Sequence, residues 1–373
     1  MSRVVIVGGG IVGAAIAYEL SLVAGLEITL LERAVPASGS TNAALGVLMG
    51  AISQKNKGRA WQLRATSIQR YTALLPQLTA ELGQPIPHNN QGILMLCFDP
   101  TELPRWQKLI EQRGSQGWRL ELWDQEQLRD RTPQVKTSRA IAAIYSPQDL
   151  QLDPTAVTQA FLTAAQNRGV TCQFGVEVQN FSATAPEGAE TRQCHHVQTT
   201  IGSLDCEWLV LAAGLGSTAL TQALASPVDI RPVLGQALHL ELDHPLNDSF
   251  QPVITGEDVH IVPVGRSQYW LGATVEFPNH QGELVANPVL LEEVRQRASE
   301  FCPDLATAKI IRIWSGQRPR PEGRPAPIIE PLQGYSNVIL ATGHYRNGVL
   351  LAPATALAVR DWVTGEYVNP SVS

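Results

Sequence analysis

Gly8-x-Gly10-x-x-Gly13 lies between the apolar run Val4-Val5-Ile6-Val7 and the helix-forming stretch Ala14 to Leu20. A short β-branched run with no polar face reads as a parallel strand buried on both sides. Strand, glycine turn and helix then form one unit in which each glycine has a mechanical purpose. Gly8 permits the tight turn, Gly10 lets the backbone approach a pyrophosphate, and Gly13 lets helix and strand pack closely. The helix N-terminus adds free N–H groups and partial positive charge. A second strand, Glu27 to Leu31, ends at Glu32, 19 residues after the last glycine. An acid at that place accepts hydrogen bonds from ribose hydroxyls. These features predict a dinucleotide site, without choosing between FAD and NAD.

A second loop, Ser38 to Gly46, follows at once and contains Ser40, Thr41, Leu45 and Gly46. Its small and hydroxyl residues allow the backbone to run close to a bulky ligand and to donate to phosphate oxygens. An ordinary capped turn would use the same residues. In a nicotinamide domain this loop has no particular duty, whereas in a flavoprotein an extended FAD passes along it.

Further along, Asp153 is placed as N-cap and Pro154 at the first position of a helix running to Arg168. Val170 to Phe174 and Val176 to Phe181 read as strands, and His196 to Ile201 with Leu204 to Trp208 as a hairpin around Gly202-Ser203. Leu209-Val210-Leu211 runs into a glycine turn containing Gly214, which returns the chain to the dinucleotide. Two other segments have a different character. One holds the strand Gly92 to Cys97 and the helix Pro104 to Arg113. The other holds alternating strands at Gln236 to Leu242, His260 to Val264 and Tyr269 to Val275, then a helix from Leu290 to Phe301. The expected fold is α/β: a Rossmann-like domain (1–84, 138–217 and 306–373) interleaved with an antiparallel-sheet, α+β substrate domain (85–137 and 218–305).

A chain of 373 residues is long enough for such an arrangement, and its net charge of −6 argues against nucleic acid or a membrane surface as partner. Five widely spaced cysteines without a C-x-x-C suggest neither a disulfide framework nor a zinc site, so no metal is expected. No apolar run reaches the roughly 18 residues of a spanning helix, and no signal-peptide pattern opens the chain. A cytoplasmic protein is the expectation. The basic residues are lopsided, 5 Lys against 23 Arg, and Arg312, Arg318, Arg320, Arg324 and Arg346 fall in a stretch without lysine.

That stretch ends in Gly343-His344-Tyr345-Arg346-Asn347-Gly348-Val349-Leu350-Leu351-Ala352-Pro353, followed by a helix expected from Ala354 to Val363, with Pro353 in its first turn. Together with Leu271-Gly272-Ala273-Thr274, Trp314-x-Gly316-x-Arg318-Pro319 and the N-terminal motif, this block resembles the FAD-dependent amine oxidase family of D-amino-acid oxidase, monomeric sarcosine oxidase and glycine oxidase. It is most similar to bacterial glycine oxidases, the type feeding thiamine biosynthesis.

The resemblance implies FAD contacts at Gly10, Ile11, Glu32, Arg33, Ser40, Thr41, Leu45, Gly46, Val47, Val178 and the loop His344, Tyr345, Arg346, Asn347, Gly348, Val349 and Leu350. It implies that Arg318 binds the substrate carboxylate and that Arg346 lies near flavin and substrate. A guanidinium fork is suited to holding a carboxylate bidentately. His260 stands where glycine oxidases place a pocket tyrosine; it either hydrogen-bonds substrate or satisfies itself within the sheet. Trp270 falls near the oxygen-activating lysine of sarcosine oxidases, which glycine oxidases also lack. No cysteine lies in the Trp314–Arg318 segment, so FAD is expected to be non-covalent.

The implied reaction is hydride transfer from Cα–H of a small amino acid (glycine, sarcosine or a small D-amino acid) to flavin N5. The resulting imine hydrolyses to a 2-oxo acid and ammonia, and O2 is reduced to H2O2. A D-amino-acid or imino-acid dehydrogenase using a quinone or other acceptor is the alternative within the class. Outside it stand an NAD-dependent enzyme and a flavin-binding protein with a non-catalytic role. The resemblance also implies a homo-oligomer.

Overall fold

The computed structural model describes residues 1–185 and 188–366. Its first sheet has six strands in the order Ile328–Pro331, Val338–Thr342, Trp208–Leu211, Ser2–Val7, Leu26–Glu32 and Thr171–Phe174. All pairings are parallel except that of Ile328–Pro331 with Val338–Thr342. The apolar run in the central strand serves two cores by alternation. Val4 and Ile6 face the helices Ile11–Ser21, Pro154–Asn167 and Gly348–Thr364, while Val5 and Val7 face a layer containing Val178, Cys194 and Val197. A strand with apolar side chains on both faces must be covered twice, so a helix layer and a small three-stranded sheet sandwich it.

The second sheet has eight strands, and only one of its pairings, Val253–Gly256 with Ile93–Cys97, is parallel. The helix Pro288–Phe301 covers it through Leu291, Val294, Ala298 and Phe301. Two segments grouped with the dinucleotide part in sequence pair in this sheet instead. Lys309–Pro321 runs antiparallel to Ile230–Glu241 along nearly its whole length, and Ala142–Ser146 pairs with Ile93–Cys97. By sheet membership, 142–146 and 309–321 therefore lie with the antiparallel layer, because their strand partners are there.

Most expected elements appear within a few residues of their places. The expected strand Tyr269 to Val275 stops at Gly272, and Leu204 to Trp208 divides between Gly202–Asp205 and Trp208–Leu211. Two helices differ more. Gly58–Leu82 forms a helix for which no pattern had been identified, and the C-terminal helix starts at Gly348 rather than after Pro353. Proline in a helix interior removes one N–H and leaves the carbonyl four residues back without its partner. Here the Tyr71 hydroxyl, carried on the long helix, donates to Val349 O at 2.6 Å. The helix can therefore begin a turn and a half earlier. That places Gly348, Val349 and Leu350 on the wall of the main cavity.

Candidate active site

A cavity of about 720 Å³ opens between the C-terminal ends of the parallel strands and one face of the antiparallel sheet. Ligands of open α/β sheets bind at that end because the glycine turns and helix N-termini converge there. At the turn, Gly8 has φ +113°, and a Cβ on it would lie 2.6 Å from Ala212 O. A Cβ on Gly13 would meet Gly8 O at 1.9 Å. Gly13 thus supports the wall from behind without lining it, whereas Gly8, Gly10 and Ile11 line it.

The Glu32 carboxylate accepts from Gly9 N (2.7 Å) and Ala34 N (2.9 Å), which fixes its position at the cavity edge beside Arg33. A carboxylate has about four acceptor sites, so capacity remains for a diol. Across the turn, Thr41 Oγ1 accepts from Ile11 N at 3.1 Å, and Ser40 donates to Gln317 O at 2.6 Å. The small-residue loop is thereby stapled both to the first helix and to the strand carrying Arg318. Ser40, Thr41, Leu45, Gly46, Val47 and Gly214 all line the cavity.

The fit to FAD can be tested on these residues. The helix Ile11–Ser21 carries no acid in its first turn and no side-chain cap from Gly10, so apart from the Ile11 N–H held by Thr41 its N-terminal N–H groups suit a pyrophosphate. Gly348–Thr364 likewise begins without an acid or a side-chain cap. Its positive end suits the flavin edge on which negative charge collects during reduction. The cavity falls in the size range of cofactor sites, and no cysteine lines it. The residues fit the dinucleotide.

His344, Tyr345 and Arg346 also line the cavity. His344 is buried, and burial lowers its pKa to about 4; its Nε2 lies 2.9 Å from Thr355 Oγ1. Since that hydroxyl donates to Leu351 O, it accepts from His344, which fixes the neutral Nε2–H tautomer. Val178 and Asn347, both expected at the cofactor, are not cavity residues. Val178 packs in the core between the small sheet and the parallel sheet, and Asn347 Oδ1 accepts from Arg64 Nη2 at 3.4 Å.

The five arginines of the lysine-free stretch divide sharply. Arg320 pairs with Glu322, Arg324 with Glu330, and Arg312 lies over the Trp314 ring. Among the described residues no carboxylate pairs with Arg318 or Arg346, the two that line the cavity. Burial, and then the charge of Arg346, lower the pKa of Arg318. Its Nη1 donates to Leu234 O at 3.0 Å, and its side chain lines the cavity. His260 lies on the same wall with Nδ1 2.9 Å from Thr255 Oγ1. Burial and the two guanidinium charges depress its pKa to about 4, so the ring is neutral near pH 7. One ring nitrogen is satisfied within the sheet, and the ring also lines the cavity.

Trp270 pairs with the Trp314 ring at 5.8 Å and is not a cavity residue. Sequence reading missed Leu234, Gly235 and Ala273, which line the wall around Arg318. Ala273 stood in the Leu271–Thr274 block without a role, and Gly235 stands just before the expected strand Gln236 to Leu242, where a glycine can mark close approach of another group.

Comparison with known proteins agrees with this geometry. The family described as FAD dependent oxidoreductase (DAO) matches residues 3–362. The bifunctional protein ThiO/ThiG of Synechocystis sp. is 32% identical over 377 residues, covering 100% of this chain and 53% of that protein. The chain therefore spans about half the length of that curated relative. Glycine oxidase of Bacillus licheniformis is 27% identical and is matched over 94% of its length, with 98% of this chain covered. The crystal structure of glycine oxidase from Bacillus cereus ATCC 14579 superposes with a TM-score of 0.85 at 25% identity, covering 99% of this chain and 96% of that one. Glycine turns, paired helix N-termini and near full-length similarity converge: the chain belongs to the DAO family of FAD-dependent oxidoreductases.

Proposed function

We propose that this chain oxidatively deaminates a small amino acid, glycine first and then sarcosine or a small D-amino acid, using non-covalent FAD and reducing O2 to H2O2. The observation that carries this reading is the pair of cavity arginines, Arg318 and Arg346, without carboxylate partners beside the neutral ring of His260. The Arg318 guanidinium is partly buried and lacks a counter-ion, so an anionic ligand matches it and a carboxylate fits its fork, while Arg346, though exposed, adds positive charge on the cavity wall.

In this reading the bound flavin supplies the two-electron acceptor. Arg318 donates two N–H groups to the substrate carboxylate, and Arg346 adds positive charge on the same side. Holding the carboxylate fixes Cα, which is the positional contribution to rate. The imidazole of His260 is too weak a base, at a pKa of about 4, to keep a proton from the substrate ammonium. It can accept a hydrogen bond from the amine and orient it. The ammonium proton leaves to solvent, the Cα hydride leaves with its electron pair to the two-electron acceptor as the imine forms, and water releases the 2-oxo acid with ammonia, or with methylamine where the substrate is sarcosine. The parallel-sheet part serves the cofactor and the antiparallel sheet the substrate. An anaerobic panel of amines followed by oxygen tests the proposal. Flavin bleaching by glycine, then reoxidation by O2 with H2O2 release, is the expected result. Bleaching that only a dye or quinone reverses would assign a dehydrogenase, and no bleaching by any amine would remove catalysis.

A further inference from the structure

Arg318 lies on the edge strand Lys309–Pro321, opposite Val233 on Ile230–Glu241. Its guanidinium bends back over the neighbouring strand. A Cβ built on Gly235 would stand 2.3 Å from Nη1, 2.3 Å from Nη2 and 2.4 Å from Cζ. Three nearly equal distances put that Cβ position above the guanidinium plane, over its Nη1–Nη2 end. Gly235 is in an ordinary strand, paired with Gly316, and its φ is not positive. Backbone conformation therefore does not require glycine here; space for the guanidinium does.

The strand beneath is itself pinned. Leu234 and Glu276 exchange both backbone hydrogen bonds at 2.9 Å, so Leu234 O accepts from Glu276 N and from Arg318 Nη1 together. The buried Glu276 carboxylate accepts from Gln236 Nε2 (2.8 Å), Asn287 N (2.8 Å) and Thr274 Oγ1. Gln236 N in turn donates to Thr274 Oγ1 at 2.8 Å. The residues on either side of Gly235 are thus tied to one buried residue, Leu234 through the Glu276 backbone and Gln236 through its carboxylate, and the strand cannot easily move aside.

We propose that Gly235 is a specificity-determining position: the seat on which the Arg318 guanidinium lies flat, held by the Leu234 carbonyl, so that its fork faces a substrate carboxylate. This rests on the reading of Arg318 as the carboxylate-binding residue. A methyl group at 235 lifts the plane and turns the fork, weakening carboxylate binding without touching the dinucleotide turn. Glycine at 235 thus favours substrates that present a carboxylate to a planar, pre-set donor pair, a fit that the point charge of a lysine at 318 would not impose.

The test uses the holoenzyme and glycolate, an unreactive carboxylate shaped like glycine, titrated by calorimetry. Gly235→Ala is expected to raise the glycolate Kd about 10–100-fold, the worth of a misaligned charge-assisted pair, with FAD affinity unchanged. An unchanged glycolate Kd, or equal losses of glycolate and FAD affinity, would overturn the seat. Should Gly235→Ala fail to fold, Gly235→Ala combined with Arg318→Ala decides the matter. Recovery of folding and FAD binding in the double variant assigns the clash to the guanidinium, and continued failure overturns the proposal. Arg318→Ala alone separates the two layers. If it binds glycolate as tightly as the parent, the carboxylate reading itself fails; if it loses glycolate while Gly235→Ala keeps it, only the seat fails.

Discussion

The hydroxyl of Tyr71 donates to the carbonyl of Val349 at 2.6 Å, at the point where Pro353 deprives that carbonyl of its helical partner. One bond therefore connects the longest helix to the helix turn that lines the flavin cavity. Burial pushes the Tyr71 phenol well above its usual range, so it remains a donor at any working pH. Tyr71→Phe leaves a buried carbonyl unsatisfied and should cost about 1–3 kcal/mol in urea unfolding of the holoenzyme. A loss within experimental error of zero would show that the helix tolerates the orphan carbonyl.

Glu32 is held by two backbone N–H groups, one of them from the glycine turn itself. Glu32→Gln replaces one acceptor oxygen with an NH2 group facing a donor. FAD affinity, followed by flavin fluorescence on dilution, should fall about 10–100-fold, matching the loss of a charge-assisted bond. Retention of full affinity would remove Glu32 from the ribose site.

His260 gives a signed pH dependence. Its folded pKa of about 4 lies below the usual 6.5, so between those values the unfolded chain binds more protons. Its contribution is fully present above pH 6.5 and is lost as pH falls toward 4. Across that window wild type should lose about 1–3 kcal/mol more stability than His260→Asn, compared by urea midpoints. Parallel curves would show that the ring is not held neutral in the fold.

These predictions divide by how visible their residues are in sequence. Gly8, Gly10, Gly13 and Glu32 act within one local strand–turn–helix–strand unit, so their spacing reveals their geometry. Arg318, Arg346 and His260 are far apart in the chain, and family resemblance rather than spacing singled them out; the fold then brings them to one wall. Val178 shows the limit of carry-over, since here its side chain fills the core behind the parallel sheet. Tyr71 was not legible, and Gly235 was legible only as a glycine beside a strand, without its partner. Each answers a need set elsewhere in the chain, the Val349 carbonyl orphaned by Pro353 and the guanidinium of Arg318, and only the packing of distant segments brings residue and need together. The same applies to strand Lys309–Pro321, whose sheet is decided by its long pairing with Ile230–Glu241 and not by its neighbours in sequence.

The most direct measurement is anaerobic flavin reduction by glycine in rapid-mixing absorbance, for wild type and Arg318→Ala reconstituted with FAD. If the partly buried fork holds the carboxylate and so places Cα, wild type is reduced by glycine. Arg318→Ala should then show a second-order reduction constant lower by about a thousandfold or more, from the lost binding and the lost alignment together. Reduction of both proteins at the same rate would contradict the account.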